Sequence, residues 1–149
     1  GKVIPQLLET LKQEKFFSQV PPKSTGRELF NLPWLGARLN GEKPEDVQRT
    51  LVSFTAETVT DAIRNFAPHI KELRVCGGGA KNPLMISELA LLNPDLLVTT
   101  TADLGVDPQD MEGLAFAWLA YRFDRRETGN LPSATGASGS RILGCLYPA

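Results

Sequence analysis

Between Lys71 and Thr101 the chain reads as strand, glycine turn, helix and strand, and that alternation limits the folds open to it. "KELRVCG" has the character of a short strand, and "DLLVTTT" is a second, apolar and then β-branched. Between them "PLMISELALL" predicts a helix with Asn82 as its cap and Pro83 at its first position. Strands joined through a helix pair in parallel, so the fold class is α/β. Two strands do not make a self-sufficient sheet, because apolar runs with nothing beside them leave open edges. The segment therefore reads as part of a larger sheet.

Helical signals fill the rest. Val3, Leu7, Leu8 and Leu11 predict an opening helix ending near Phe17, before Pro21 and Pro22. Ser24, Thr25 and Gly26 form a turn, and a short helical piece holds Leu29, Phe30 and Trp34. The longest helix is expected from Pro44 to Phe66, where Val47, Leu51, Phe54, Thr58, Ala62 and Phe66 recur at steps of three and four until Pro68. After the second strand, Asp107 and Asp110 mark the start of a helix with Met111, Leu114, Ala115, Trp118 and Leu119 on one face. A last helix is expected at Ser140 to Cys145.

Charge and composition exclude several classes. Across 149 residues the formal net charge is −1, so no basic field draws in nucleic acid or an anionic membrane. No apolar run reaches the roughly 20 residues that span a bilayer, and the first residues lack a secretory h-region. Two cysteines do not make a disulfide framework, and a cytoplasmic location is the expectation. His69 is the only histidine, which excludes most zinc sites and any Ser-His-Asp scheme built within this chain.

The candidate chemistry lies at the strand ends. Gly77, Gly78 and Gly79 follow the first strand, where a backbone without Cβ atoms lets a ligand approach. Ligands of open α/β sheets sit at the carboxyl ends of strands, and a helix start there presents N–H groups to an anion or polar ring. The run is neither a G-x-G-x-x-G nor a P-loop, so a nucleotide cradle and a plain strand–helix loop both fit it. Glu112, in the first turn of the later helix, serves either the helix dipole or a cleft beside the strands. Lys23, Ser24 and Arg27 in "KSTGR" suit a phosphate or a base, or equally a solvated turn. Thr99, Thr100 and Thr101 end the second strand, and Cys76 reads as a small buried residue.

Taken together, "PPKSTGRELFN", "VCGGGAKNPLM", "DMEGLAFAWLA" and "NLPSATGAS" resemble, in the same order, the C-terminal part of the anhydro-N-acetylmuramic acid kinases. That family belongs to the sugar kinase, actin and heat-shock chaperone superfamily, with two ribonuclease-H-like lobes and ATP in the cleft between them. The resemblance implies a partial ribonuclease-H-like (actin-like ATPase) second lobe, helix-rich with a small parallel sheet. The implied reaction phosphorylates O6 of 1,6-anhydro-N-acetylmuramic acid with ATP and Mg2+ while water opens the anhydro bridge, recycling bacterial cell-wall sugar. Gly77, Gly78 and Gly79 match the superfamily's adenosine-binding glycines, Asn82 and Pro83 the helix start behind them, and Glu112 the family's sugar-facing acid. Gly113 departs from the family's alanine. The superfamily's "G-T-S-x-D-G"-like and "D-x-G-x-G-N"-like loops and its catalytic base are absent from these residues. Residues 1–149 are therefore expected to be the C-terminal, second-lobe portion without the N-terminal lobe, inactive alone, with self-association as a homodimer left open. A self-contained α/β interaction domain with a structural glycine loop is the rival expectation.

Overall fold

The computed structural model describes residues 1–147. Its elements run α1 (Pro5–Lys12), α2 (Lys15–Ser18), α3 (Leu32–Gly36), α4 (Pro44–Phe66), β1 (Glu72–Val75), α5 (Pro83–Leu92), β2 (Leu97–Thr100), α6 (Met111–Asp124) and α7 (Pro132–Thr135). Single 3-10 turns at Gly78–Lys81 and Thr101–Leu104 follow the two strands. The protein is helix-rich with one small parallel sheet, as the alternation predicts.

The packed half is built on α1 and α4. Leu7, Leu8 and Leu11 lie on one stripe of α1 and are buried against Val47 and Phe54, one stripe of α4. Three contacts fix the register: Lys2 N–H to Asp46 Oδ1 at 2.6 Å, Ile4 N–H to Thr50 Oγ1 at 2.9 Å, and Lys12 Nζ to Glu57 Oε2 at 2.7 Å. Partners rise in number together, so the two helices run side by side in the same direction. Thr50 is fully buried at no loss, because its hydroxyl accepts from Ile4 and donates to the Asp46 carbonyl at 2.7 Å. Each fully buried leucine contributes about 1.5–3 kcal/mol.

The expected single opening helix is broken at Gln13 and Glu14. Glu14 has an extended ψ of 127° and its carboxylate accepts from the Trp34 indole at 2.8 Å and Arg38 at 3.0 Å. That anchorage turns Phe17 onto Phe54 and Phe30 in an aromatic cluster that Trp34 completes.

Helix α4 also packs against α5, which in turn contacts β2. Its buried Ala56 allows close approach, and α5 packs along α4 through the buried Leu89. At the polar edge of that contact Arg49 and Ser53 both bond the Glu88 carboxylate. Asn93 ends α5 with its side-chain amide donating at 2.8 Å to both Thr60 and the Leu89 carbonyl. The strands pair in parallel with Glu72 opposite Leu97 and Val75 opposite Thr100.

Beyond β2 packing thins. Helix α6 was expected to bury one face, yet among the described residues it has no extended packing against another helix or strand. The helix expected at Ser140 to Cys145 is absent. Asn130 Oδ1 accepts from the Arg141 N–H at 2.6 Å and Gly129 N–H donates to the Arg141 carbonyl at 2.9 Å, while Gly144 has φ +116°. Those bonds and that dihedral hold an extended tail that folds back, bringing Leu143 and Gly144 against Leu119 and Phe123.

Candidate functional site

The carboxyl end of β1 turns at once. Gly77 takes φ +77° and ψ −171°, a conformation that residues with a Cβ rarely adopt, and Gly78 opens the 3-10 turn. The turn is closed by the Ala80 N–H on the Gly77 carbonyl and the Asn82 N–H on the Gly79 carbonyl, both at 3.1 Å. A Cβ on Gly77, Gly78 or Gly79 would meet no atom within 4 Å beyond the adjoining residues, among those described. The glycines thus present open backbone rather than relieve an internal clash. Cys76, expected to be buried, is exposed, because β1 ends at Val75 and no described residue covers the position after it.

Asn82 caps α5, its side-chain oxygen accepting from Leu84 N–H at 3.1 Å and Met85 N–H at 3.4 Å. Ile86 N–H bonds the Asn82 carbonyl, and Pro83 has no N–H to offer. The amides of the first helical turn are therefore occupied from within. This corrects the picture of a helix start holding unpaired N–H groups out to an anion. What remains at Gly77 to Gly79 is a stretch of open backbone without side chains.

The second strand delivers its own loop to the same end. Gly77 N–H donates to the Pro108 carbonyl at 2.7 Å, so the glycine turn is tied to the loop that leads into α6. Sequence reasoning passed over Pro108, because a backbone carbonyl leaves no mark in residue type. Asp107 was expected to help cap α6 but accepts from Gln109 N–H at 2.8 Å, making a local turn instead. Glu112 follows in the first turn of α6 with an exposed side chain. Of the three strand-end threonines, Thr99 bonds Asp103 and Thr100 accepts from the Ala102 N–H at 3.4 Å. Thr101 is buried, with no hydrogen-bond partner for its hydroxyl among the described residues.

The "KSTGR" turn is engaged elsewhere. Lys23 Nζ donates to the Phe16 and Phe17 carbonyls at 2.9 and 3.1 Å and sits over the Phe16 ring. Gly26 N–H is taken by the Glu28 carboxylate at 2.6 Å, and bonds from the backbone amides of Glu28 and Gly26 hold that carboxyl below the usual range. Ser24 and Arg27 are exposed. Gly136, in "NLPSATGAS", comes close to Pro22, since a Cβ there would lie 3.1 Å from the proline ring. The four motifs thus meet in two pairs, the glycine turn with the start of α6 and the proline-rich turn with the tail. Among the described residues no three His, Cys, Asp or Glu side chains come together to hold a metal.

A parallel strand pair joined through a self-capped helix, with an open glycine turn at the carboxyl end of β1, defines an α/β unit. Residues 1–149 match the family model described as anhydro-N-acetylmuramic acid kinase, and the chain belongs to that family. It is 51% identical to an anhydro-N-acetylmuramic acid kinase of Ralstonia nicotianae, with all of this chain and 40% of that protein covered. It is 52% identical to proteins of the same name from Burkholderia mallei and Burkholderia orbicola, with 99% of this chain and 40% and 41% of those proteins covered. The chain spans about two-fifths of the length of the curated relatives it matches. No described helix is long and apolar enough to cross a membrane.

Proposed function

We propose that these residues form the adenosine-side portion of the second lobe of an ATP-dependent kinase acting on 1,6-anhydro-N-acetylmuramic acid. The carrying observation is the open backbone of Gly77 to Gly79 at the carboxyl end of β1, beside a helix whose first amides are already capped. A surface of this kind takes the adenine and ribose and leaves the phosphates to groups elsewhere in the whole protein. In the reaction, water adds to the anomeric carbon, giving up a proton to a base outside these residues, as the bond from that carbon to O6 breaks. O6 then takes the γ-phosphoryl group, giving N-acetylmuramic acid 6-phosphate and ADP. Magnesium would accompany the ATP phosphates, and these residues offer no donor set of their own for it. Glu112, exposed in the first turn of α6 after the loop whose Pro108 carbonyl accepts from Gly77, is our candidate for the acid that contacts the sugar. The location is cytoplasmic, where ATP is supplied.

Gly78→Val tests the reading cleanly. Its φ is not positive and its Cβ would meet nothing among the described residues, so folding should be spared while the branched side chain enters the ligand's space. In a whole kinase carrying this chain, the KM for ATP is expected to rise far more than that for the sugar. Unchanged ATP dependence would return the glycines to a structural loop.

A further inference from the structure

Thr101 is the one buried polar side chain without a hydrogen-bond partner among the described residues. Thr50, Ser53, Thr60 and Asn93 are buried too, and each of them is bonded. The adjoining hydroxyls of Thr99 and Thr100 also have partners, Asp103 and the Ala102 N–H. A hydroxyl folded away from water without a bond is a cost that the unfolded chain does not bear. Thr101 is only 5% exposed, and residues of this chain enclose it. A segment outside residues 1–149 could cover that enclosure but could not reach the hydroxyl without displacing it.

Its place in the fold gives the unpartnered group a use. The parallel register sets Thr100 opposite Val75, so Thr101 follows beside Cys76, where the glycine turn begins. Thr101 also opens the loop that runs to Asp110 and into α6. That loop closes on itself through Val106 N–H to the Thr101 carbonyl at 3.2 Å, and turns at Gly105, where φ is +78°. Among the described residues one backbone hydrogen bond holds it to the glycine turn, from Gly77 N–H to the Pro108 carbonyl. A ligand seated on Gly77 to Gly79 therefore lies next to the contact that fixes the loop.

We propose that Thr101 is a positioning residue: with a nucleotide on the glycine turn, the loop takes a second arrangement in which the Thr101 hydroxyl is hydrogen-bonded. A ligand shifts such an equilibrium only through a free-energy difference between the two states, and the bond gained by a buried hydroxyl supplies one. Because the same loop leads to Glu112, occupancy of the turn is carried to the start of α6. The proposal rests on the nucleotide reading of the glycine turn.

The test uses a whole kinase carrying this chain, with ADP as the probe. Thr101→Val keeps the shape of the side chain and removes the hydroxyl. Without nucleotide its melting temperature should hold or rise by a few degrees, because no bond is lost. ADP should bind about 10-fold more weakly to it, and within about 3-fold of the parent to Thr101→Ser. A lower melting temperature for Thr101→Val without nucleotide would show the hydroxyl already bonded, through a trapped water for example, and would overturn the proposal. Equal weakening by Thr101→Ser would assign the effect to packing and overturn it too. Gly78→Val is measured alongside. If it weakens ADP binding and Thr101→Val does not, the proposal falls and the nucleotide reading stands. If Gly78→Val leaves binding intact, both fall together.

Discussion

Helix α1 carries three leucines in eight residues and buries every one, whereas α6 is richer in apolar side chains over fourteen residues and buries none. The difference lies in the partners. Leu7, Leu8 and Leu11 face an α4 stripe within the same residues, while the neighbours that α6 needs are not among those described. Apolar content alone therefore says that a helix seeks cover, and only periodicity matched by a second stripe says that it has found it.

The largest expected effect separates these halves directly. Leu11→Ala should destabilise the 149-residue chain by about 2–5 kcal/mol in a urea titration, because Leu11 is wholly enclosed between α1 and α4. Phe116→Ala should change it by no more than about 0.5 kcal/mol. Comparable losses would mean that α6 is packed in solution and would erase the contrast.

A second contrast sets the strand-end region against the α1–α4 core. Glu112→Gln in a whole kinase carrying this chain should leave its melting curve nearly unchanged and lower turnover on the anhydro-sugar by about 10²-fold. Near-normal turnover with a lowered melting temperature would assign Glu112 to the helix dipole. Next in size is the Asn93–Thr60 contact that fixes the end of α5 on α4. Asn93→Ala strands the Thr60 hydroxyl and should cost about 1–3 kcal/mol, and a cycle with Thr60→Ala should recover part of it.

The smallest effect is a pH dependence confined to the packed half. The Trp34 indole N–H, with Arg38 beside it, holds the Glu14 carboxyl below the usual glutamate range. Because the folded-state value is depressed, this contribution is complete above the ordinary glutamate pKa and fades as pH falls through the folded value. Glu14→Gln should lower stability near pH 8, where the contribution is complete, and change it little at low pH, where it is already lost, so that the acid limb of the stability curve flattens. An unchanged acid limb would show that Glu14 is anchored only weakly.

What the sequence determined by itself is local. The α4 span from Pro44 to Phe66, the Asn82 cap, the proline start of α5 and both strands follow from periodicity, capping and β-branching, which act over a few residues. The glycine turn was equally legible, because only glycine suits the φ of Gly77. The tertiary structure decided the rest. Glu14 splits the opening helix because its partners, Trp34 and Arg38, stand 20 and 24 residues away. Asn130 and Gly129 hold the tail extended from 11 and 12 residues upstream of Arg141, where a local reading saw a helix. At the candidate site, residue type located the glycines and Glu112, but the link through the Pro108 carbonyl is a backbone contact that no side-chain pattern encodes. Lys23 turns inward for a similar reason: the carbonyls of Phe16 and Phe17 lie within its reach only once α2 has folded against α4.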